Sequence, residues 1–160
     1  MKRVLAFGAF DPINKGHKDF LRQAKRMGDY LIVVVAHESA IRAHKGREAV
    51  KTEDQRLAAV KALGIADEVI LGRKTANKYH ILEELNFDVI ALGHTQKPSN
   101  EEVRQALDDI GKQRVEIIRC REYTPGAGFN WMFVLKILVT LLVVAAIVAV
   151  AFTALQVQGT

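Results

Sequence analysis

The chain has 160 residues, enough for one domain with a real hydrophobic core and too few for two comfortable ones. Its 23 basic and 18 acidic residues give a net charge of +5, and all of them lie at or before Lys136, so a charged region precedes an uncharged tail. That surplus suits a polyanionic small ligand or the anionic face of a membrane, and the scatter of basic residues among acids argues against nucleic acid.

Cys120 is the single cysteine, which excludes an intrachain disulfide and fits a reducing compartment. Its apolar surroundings mark it as a core residue. Met1-Lys2-Arg3 leads only into a short apolar run ended by Asp11 and Pro12, which does not read as a signal peptide.

The first 120 residues alternate between two periodicities. Strands are predicted at Arg3 to Phe7, Tyr30 to Ala36, Glu68 to Leu71, Asp88 to Leu92 and Arg114 to Arg119. Between the first two, His17 to Met27 puts Phe20, Leu21, Ala24 and Met27 on one helical face. Thr52 to Leu63 does the same with Leu57, Val60, Ala62 and Leu63, with Thr52 available as a cap, and Lys78 to Leu85 is a shorter helix. Ser99 opens the last helix with a capping box, since Glu102 lies three residues on. Gly111 sits near its end, where a left-handed residue is wanted.

Leu31 to Val35 and Val89 to Leu92 are apolar at consecutive positions, as in strands covered on both faces. The predicted fold is therefore α/β, a doubly wound parallel five-stranded Rossmann-like sheet.

After Cys120 the composition changes. Residues 1–121 read as the domain and 122–130 as a linker rich in Pro and Gly; 131–157 is almost wholly apolar. As a helix, the stretch from Ile137 to Leu155 would be about 28 Å long at roughly 1.5 Å per residue, close to a bilayer's hydrocarbon thickness. Trp131 and Lys136 suit an interfacial ring and a snorkelling amine. The expectation is one C-terminal transmembrane helix over 131–157 with the lipid bilayer as its partner. The protein would be a single-pass membrane protein with its N-terminal domain cytoplasmic. A native anchor and a fused segment beginning near Met132 read alike.

The most informative segment is Gly8 to His17, GAFDPINKGH, where the first strand runs into the first helix. Ligands of open parallel sheets bind outside the carboxyl ends of strands. Gly8 and Gly16 allow close backbone approach, and the helix directs its N–H groups and positive dipole end at a bound anion. His17 can donate to a phosphate oxygen, while Lys15 and Lys18 add charge. From these residues alone this is a phosphate-binding turn.

GAFDPINKGH resembles the G-[TS]-F-D-x-x-H-x-G-H signature of the nucleotidylyltransferase superfamily, and in particular its glycerol-3-phosphate cytidylyltransferase and archaeal FAD synthetase (riboflavin-phosphate adenylyltransferase) groups. Lys45-Gly46-Arg47 and Glu53-Asp54-Gln55-Arg56 resemble the K-G-R and E-E-Q-R segments. Asp67 to Gly72 and Ile90 to Gly93 resemble the third and fourth strands, and the similarity covers roughly residues 1 to 120. The resemblance implies transfer of CMP or AMP from CTP or ATP to a small phosphate monoester, with Mg²⁺ carried by the triphosphate and release of pyrophosphate. It implies that His17 contacts the reacting phosphates and that Lys45 neutralises phosphate charge, with Asn14 as the third catalytic candidate. Gly8, Ala9, Phe10, Gly16, Gly93, Gln96 and Arg121 are the candidates for binding nucleotide and phosphate. Homodimers are frequent in the family, and no stretch of sequence marks an interface. The histidines show no metal-ligand spacing, so no protein-held metal cluster is expected.

Four departures cluster on this site. Asn14 replaces the first histidine of the motif, and Ala9 stands where a hydroxyl residue is usual. His94-Thr95-Gln96 replaces an aspartate-containing segment, and Tyr123 to Asn130 replaces the family's last helix start. A neutral amide cannot carry positive charge, and losing one preorganised donor costs on the order of 3 kcal/mol. Three readings follow: a membrane-tethered nucleotidyltransferase, a catalytically impaired nucleotide-binding domain, and a soluble scaffold fused to a membrane segment.

Overall fold

Val4 to Ala6, Leu31 to Val35 and Val89 to Leu92 are the core of the sheet because side chains on both of their faces are apolar and buried. The computed structural model describes residues 1–74, 80–125, 135–136 and 139–141, the side chains of 44 and 45 excepted. Met1–Tyr123 forms one compact unit and Thr124–Thr160 a second.

The first unit runs β1 (Arg3–Gly8), α1 (Lys15–Lys25), β2 (Tyr30–Val35), α2 (Glu38–Lys45), α3 (Glu53–Lys61), β3 (Glu68–Leu71), α4 (His80–Glu84), β4 (Val89–Leu92), α5 (Asn100–Asp109) and β5 (Glu116–Arg119). The sheet order is β3-β2-β1-β4-β5 and every pair is parallel, so the five-stranded Rossmann-like expectation holds. On one face Val4, Ala6, Val33 and Ala91 pack with Phe10, Leu21 and Ala24 of the first crossover and Val60 of α3. On the other, Leu5, Ile32 and Ile90 pack with Leu82 of α4 and Val103 and Leu107 of α5.

Several local signals act as read. Thr52 and Ser99 each cap a helix in a capping box with Gln55 and Glu102. Gly111, with φ 75°, follows the C-cap of α5 in the left-handed region. Cys120 is buried, and burial together with the negative charge of Asp19 pushes its thiol up to about 11, so it is an inert core residue. The helix α2 was not expected, because Ile41 is the one large apolar residue in its eight positions.

The predicted transmembrane helix is corrected. Among the described residues no helix is long and apolar enough to cross a membrane. Helical backbone is described at 135–136 and 139–141, where Thr140 Oγ1 donates to the Lys136 carbonyl at 2.9 Å, and the rest of 131–157 lies outside the described residues. Hydropathy gives the cost of leaving a segment in water; it does not establish that the backbone pairs as one continuous helix. The single-pass location with a cytoplasmic domain and the bilayer partner rested on that helix and are withdrawn with it.

The bottom edge of the sheet is closed by aspartates. Asp29 accepts from the Lys2 N–H, Asp88 from that of Arg3 and Asp67 from that of Leu31. The chain crosses this edge so closely that a Cβ on Gly28 would stand 2.6 Å from the Lys2 carbonyl oxygen and 2.8 Å from Val4 Cγ2. Gly28→Ala should therefore lower stability by about 1–3 kcal/mol through forced backbone shifts, read as a lower urea midpoint with an unchanged slope.

Candidate functional site

The strand order places a topological switch point between β1 and β4, where the loops after these two strands part to opposite faces. The β1 loop begins with a tightly folded turn. Phe10 sits at φ 51°, an unusual conformation for a residue with a side chain, and is 1% exposed. Its ring lies where a Cβ on Gly8 would reach, 3.0–3.3 Å away, so the glycine is needed by Phe10 as well as by any ligand. The same ring meets the edge of His17 at 5.4 Å between centroids.

Asn14 is the N-cap of α1. Its Oδ1 accepts from the His17 N–H at 2.9 Å, and its own N–H donates to His17 Nδ1 at 3.2 Å, a capping box with histidine in the third position. Gly16 allows this, since a Cβ there would stand 3.3 Å from Asn14 Oδ1. An accepting Nδ1 places the proton of the neutral ring on Nε2, which makes His17 a donor. Helix geometry leaves the N–H groups of Lys15 and Gly16 without intrahelical partners. The start of α1 thus combines an imidazole donor, an amide and the positive end of a helix dipole.

Asp11 is buried and organises the loop that follows α2. Its carboxylate accepts from Val50 and Lys51 N–H groups, both at 2.9 Å, and from Arg47 Nη1 at 3.0 Å. Burial alone would raise this carboxyl; the two backbone donors and the Arg47 guanidinium outweigh it and hold it below its ordinary value. Arg56, fully buried on α3, grips the same loop from the other side. Its Nε donates to the Lys51 carbonyl, and Nη1 donates to the Ala9 and Ala36 carbonyls at 3.0 and 2.7 Å. Lys45 is the last residue of α2, with Gly46 capping the helix at φ 61°, and its side chain lies outside those described.

The loop after β4 is built around Arg119. Its Nη1 donates to the Gly93 and Gln96 carbonyls, both at 2.8 Å, Nη2 to that of Pro98, and Nε to Asn100 Oδ1. Gln96 crosses the switch point: its Nε2 donates to the Phe7 carbonyl and its Oε1 accepts from the Gly93 N–H, both at 2.9 Å. Arg121 is exposed, with its backbone exchanging hydrogen bonds with the Gln23 amide.

Beside the switch point lies a cavity of about 770 Å³, bordered by Gly8, Ala9 and Gln96 and walled by Phe7, Val34, Ile41, Ile81 and Leu82. Asn14, Gly16 and His17 gather at the start of α1, the helix that packs into the first core. The structure therefore groups most of the sequence candidates into two clusters flanking β1, with Gly93 joined to the second through Gln96, and leaves Arg121 exposed outside both, while the Lys45 side chain lies outside those described. Sequence reasoning missed Arg56 and Arg119 as organisers and His37 and Ser39 as cavity residues. An arginine that directly follows a run of aliphatic residues at a strand end, as Arg119 follows Ile117 and Ile118, is the signal that could have found one of them.

A crevice at a sheet switch point beside the start of a helix defines an open α/β protein of the doubly wound class, whose ligands bind at that point. The cytidylyltransferase-like family model matches residues 5–148, and the chain belongs to that family of nucleotidyltransferases. The chain is 38% identical to the FAD synthase of Thermococcus sibiricus over 119 residues, 73% of this chain and 78% of that one. It is 41% identical to the FAD synthase of Ferroglobus placidus over 121 residues, covering 76% and 77%. Among solved structures, the lipopolysaccharide core biosynthesis protein from Thermoplasma volcanium GSS1 superposes with a TM-score of 0.71 at 35% identity, covering 78% of this chain and 99% of that one. A protein of unknown function from Archaeoglobus fulgidus shares the fold, with a TM-score of 0.58 at 22% identity.

Asp11→Asn should destabilise the domain at neutral pH by about 1–3 kcal/mol, because one oxygen acceptor is lost to buried N–H donors. A carboxyl held below its unfolded value stabilises the fold above that value and loses the contribution as pH falls through the folded one. The gap between the two proteins in urea unfolding should narrow as pH is taken below the ordinary 3.8.

Proposed function

We propose that this chain transfers AMP from ATP to the phosphate of riboflavin phosphate, releasing pyrophosphate and forming the dinucleotide. The observation that supports the reading is the Asn14–His17 capping box, which starts α1 directly after the β1 turn. The two relatives named FAD synthase favour this donor and acceptor over CTP and other phosphate monoesters.

In this reading an acceptor phosphate oxygen attacks the α-phosphorus in line as the bond to pyrophosphate breaks, with no covalent intermediate on the protein. His17 Nε2, the Asn14 amide and the N–H groups of Lys15 and Gly16 hold the triphosphate. Lys45 neutralises its charge. Gly8 and Ala9 let the phosphates approach β1, Phe10 keeps the turn closed, and the Gly93–Gln96 loop faces the base, with Arg121 as a further cation at the rim. The Mg²⁺ expected for this reaction would be carried largely by the triphosphate. That ion would neutralise phosphate charge.

A second reading, nucleotide binding with little turnover, is favoured by one observation. Asn14 Oδ1 is committed to the His17 N–H, so the residue offers only a neutral NH₂ where the family motif has an ionisable ring. Pyrophosphate release with ATP or CTP and riboflavin phosphate separates the two. Asn14→His should raise kcat about tenfold or more, within the range of a restored oxyanion-type donor. The same substitution should cost about 1 kcal/mol of stability, because histidine is a poorer N-cap than asparagine. Release of no pyrophosphate by either protein, together with a normal ATP-induced rise in Tm, leaves the binding reading standing alone.

A further inference from the structure

His37 follows β2 and caps α2, and its ring is held from both sides. Nδ1 accepts from the Ser39 N–H at 3.1 Å and lies 2.8 Å from Ser39 Oγ. Nε2 lies 3.1 Å from Glu53 Oε1, which also accepts from the Glu38 N–H at 2.8 Å. A backbone N–H can only donate and a carboxylate can only accept. The lone pair is therefore on Nδ1 and the ring proton on Nε2. With that lone pair also facing Oγ, the Ser39 hydroxyl proton is drawn to His37, and the oxygen's own lone pairs remain for a ligand.

His37 and Ser39 both border the cavity described above, whose walls are largely apolar. The other polar groups around it are engaged with the fold. The Gln96 amide bonds Phe7 and Gly93, Glu102 accepts from the Ser99 N–H, and Arg73 pairs with Glu84. Lys74 and Lys97 are exposed on the same lining and supply positive charge. An apolar body with one oriented acceptor inside and cations outside suits a planar ring that carries a donor N–H at one end and a phosphate at the other.

We infer that Ser39 determines acceptor specificity by accepting a hydrogen bond from a ring N–H, and that His37 and Glu53 are positioning residues acting through it. The inference rests on the acceptor named under the proposed function. Oxidised riboflavin phosphate has one ring N–H, the imide between two carbonyls, and methylating it removes the donor and leaves the phosphate intact.

The test is quenching of flavin fluorescence by the full chain, with riboflavin phosphate and its imide-methylated analogue as probes, joined to KM measurements. The wild type should bind the parent about tenfold more tightly than the methylated probe, the usual scale of one net hydrogen bond. Ser39→Ala should abolish that preference and raise KM for the acceptor without moving KM for ATP, and Ser39→Thr should restore it. Glu53→Gln, which frees the ring proton to move to Nδ1, should narrow the preference. A wild type without preference, or Ser39→Ala or Glu53→Gln with the preference intact, overturns the inference and leaves the adenylyl-transfer reading in place. Failure of the wild type to bind either flavin overturns both.

Discussion

Two buried, oppositely charged side chains hold one residue between them, and the shape of the site follows from that grip. The Lys51 N–H is taken by Asp11 and the Lys51 carbonyl by Arg56. Arg56 also fastens the carbonyls of Ala9 and Ala36, which lie just beyond the ends of β1 and β2. A guanidinium stripped of water would cost several kcal/mol if left unpaired, and here three carbonyls replace most of that hydration. Its Nη2 alone has no partner among the described residues. The arginine can be buried only where those carbonyls stand. The ends of two strands, the start of α3 and the loop from Gly46 to Lys51 are thereby fixed relative to one another.

Arg119 does on the β4 side what Arg56 does on the β1 side. It collects the carbonyls of Gly93, Gln96 and Pro98 into a fan around one planar group, a geometry a lysine could not reproduce. Gln96 then spans the gap to Phe7. Both walls of the switch-point crevice are thus set by hydrogen bonds within the fold. The in-line phosphoryl transfer proposed above depends mainly on positioning, so walls fixed in this way would lower the ordering cost of bringing two anions together.

The sheet was legible in the sequence because burial on both faces leaves a direct mark, namely consecutive β-branched and aliphatic residues in β2 and β4. The caps at Thr52 and Ser99 were legible for a similar reason, since each is a local pattern complete within four residues. The short helix α2 was hidden: its ends are marked by His37 and Gly46, but its interior has no apolar stripe to betray it. The organising arginines were hidden for the opposite reason. Arg56 and Arg119 act on carbonyls that are distant in sequence, and no spacing rule connects residue 56 to 9 and 36. The tail misled because length and hydropathy satisfy a membrane criterion without specifying a continuous helix, and no such helix occurs among the described residues.

Asn14 shows how one position can serve stability and chemistry with opposite preferences. As an N-cap, asparagine is among the best residues, and its carbonyl oxygen reaches the His17 N–H that the helix would otherwise leave unsatisfied. In the proposed role of phosphate contact it would be weaker than the ring the family motif places there, since it brings a dipole where a charge could stand. The cap bond also fixes its amide plane, so the NH₂ group points wherever the cap allows. His17 is subject to the same constraint, because the Nδ1 that accepts from Asn14 cannot also donate. The two residues are thus tied to each other by a reciprocal pair of hydrogen bonds. In the adenylyl transfer proposed above, a helix start arranged in this way would suit the holding of a triphosphate better than it would suit the extra charge of the transition state, because its cap contributes a dipole and no full charge.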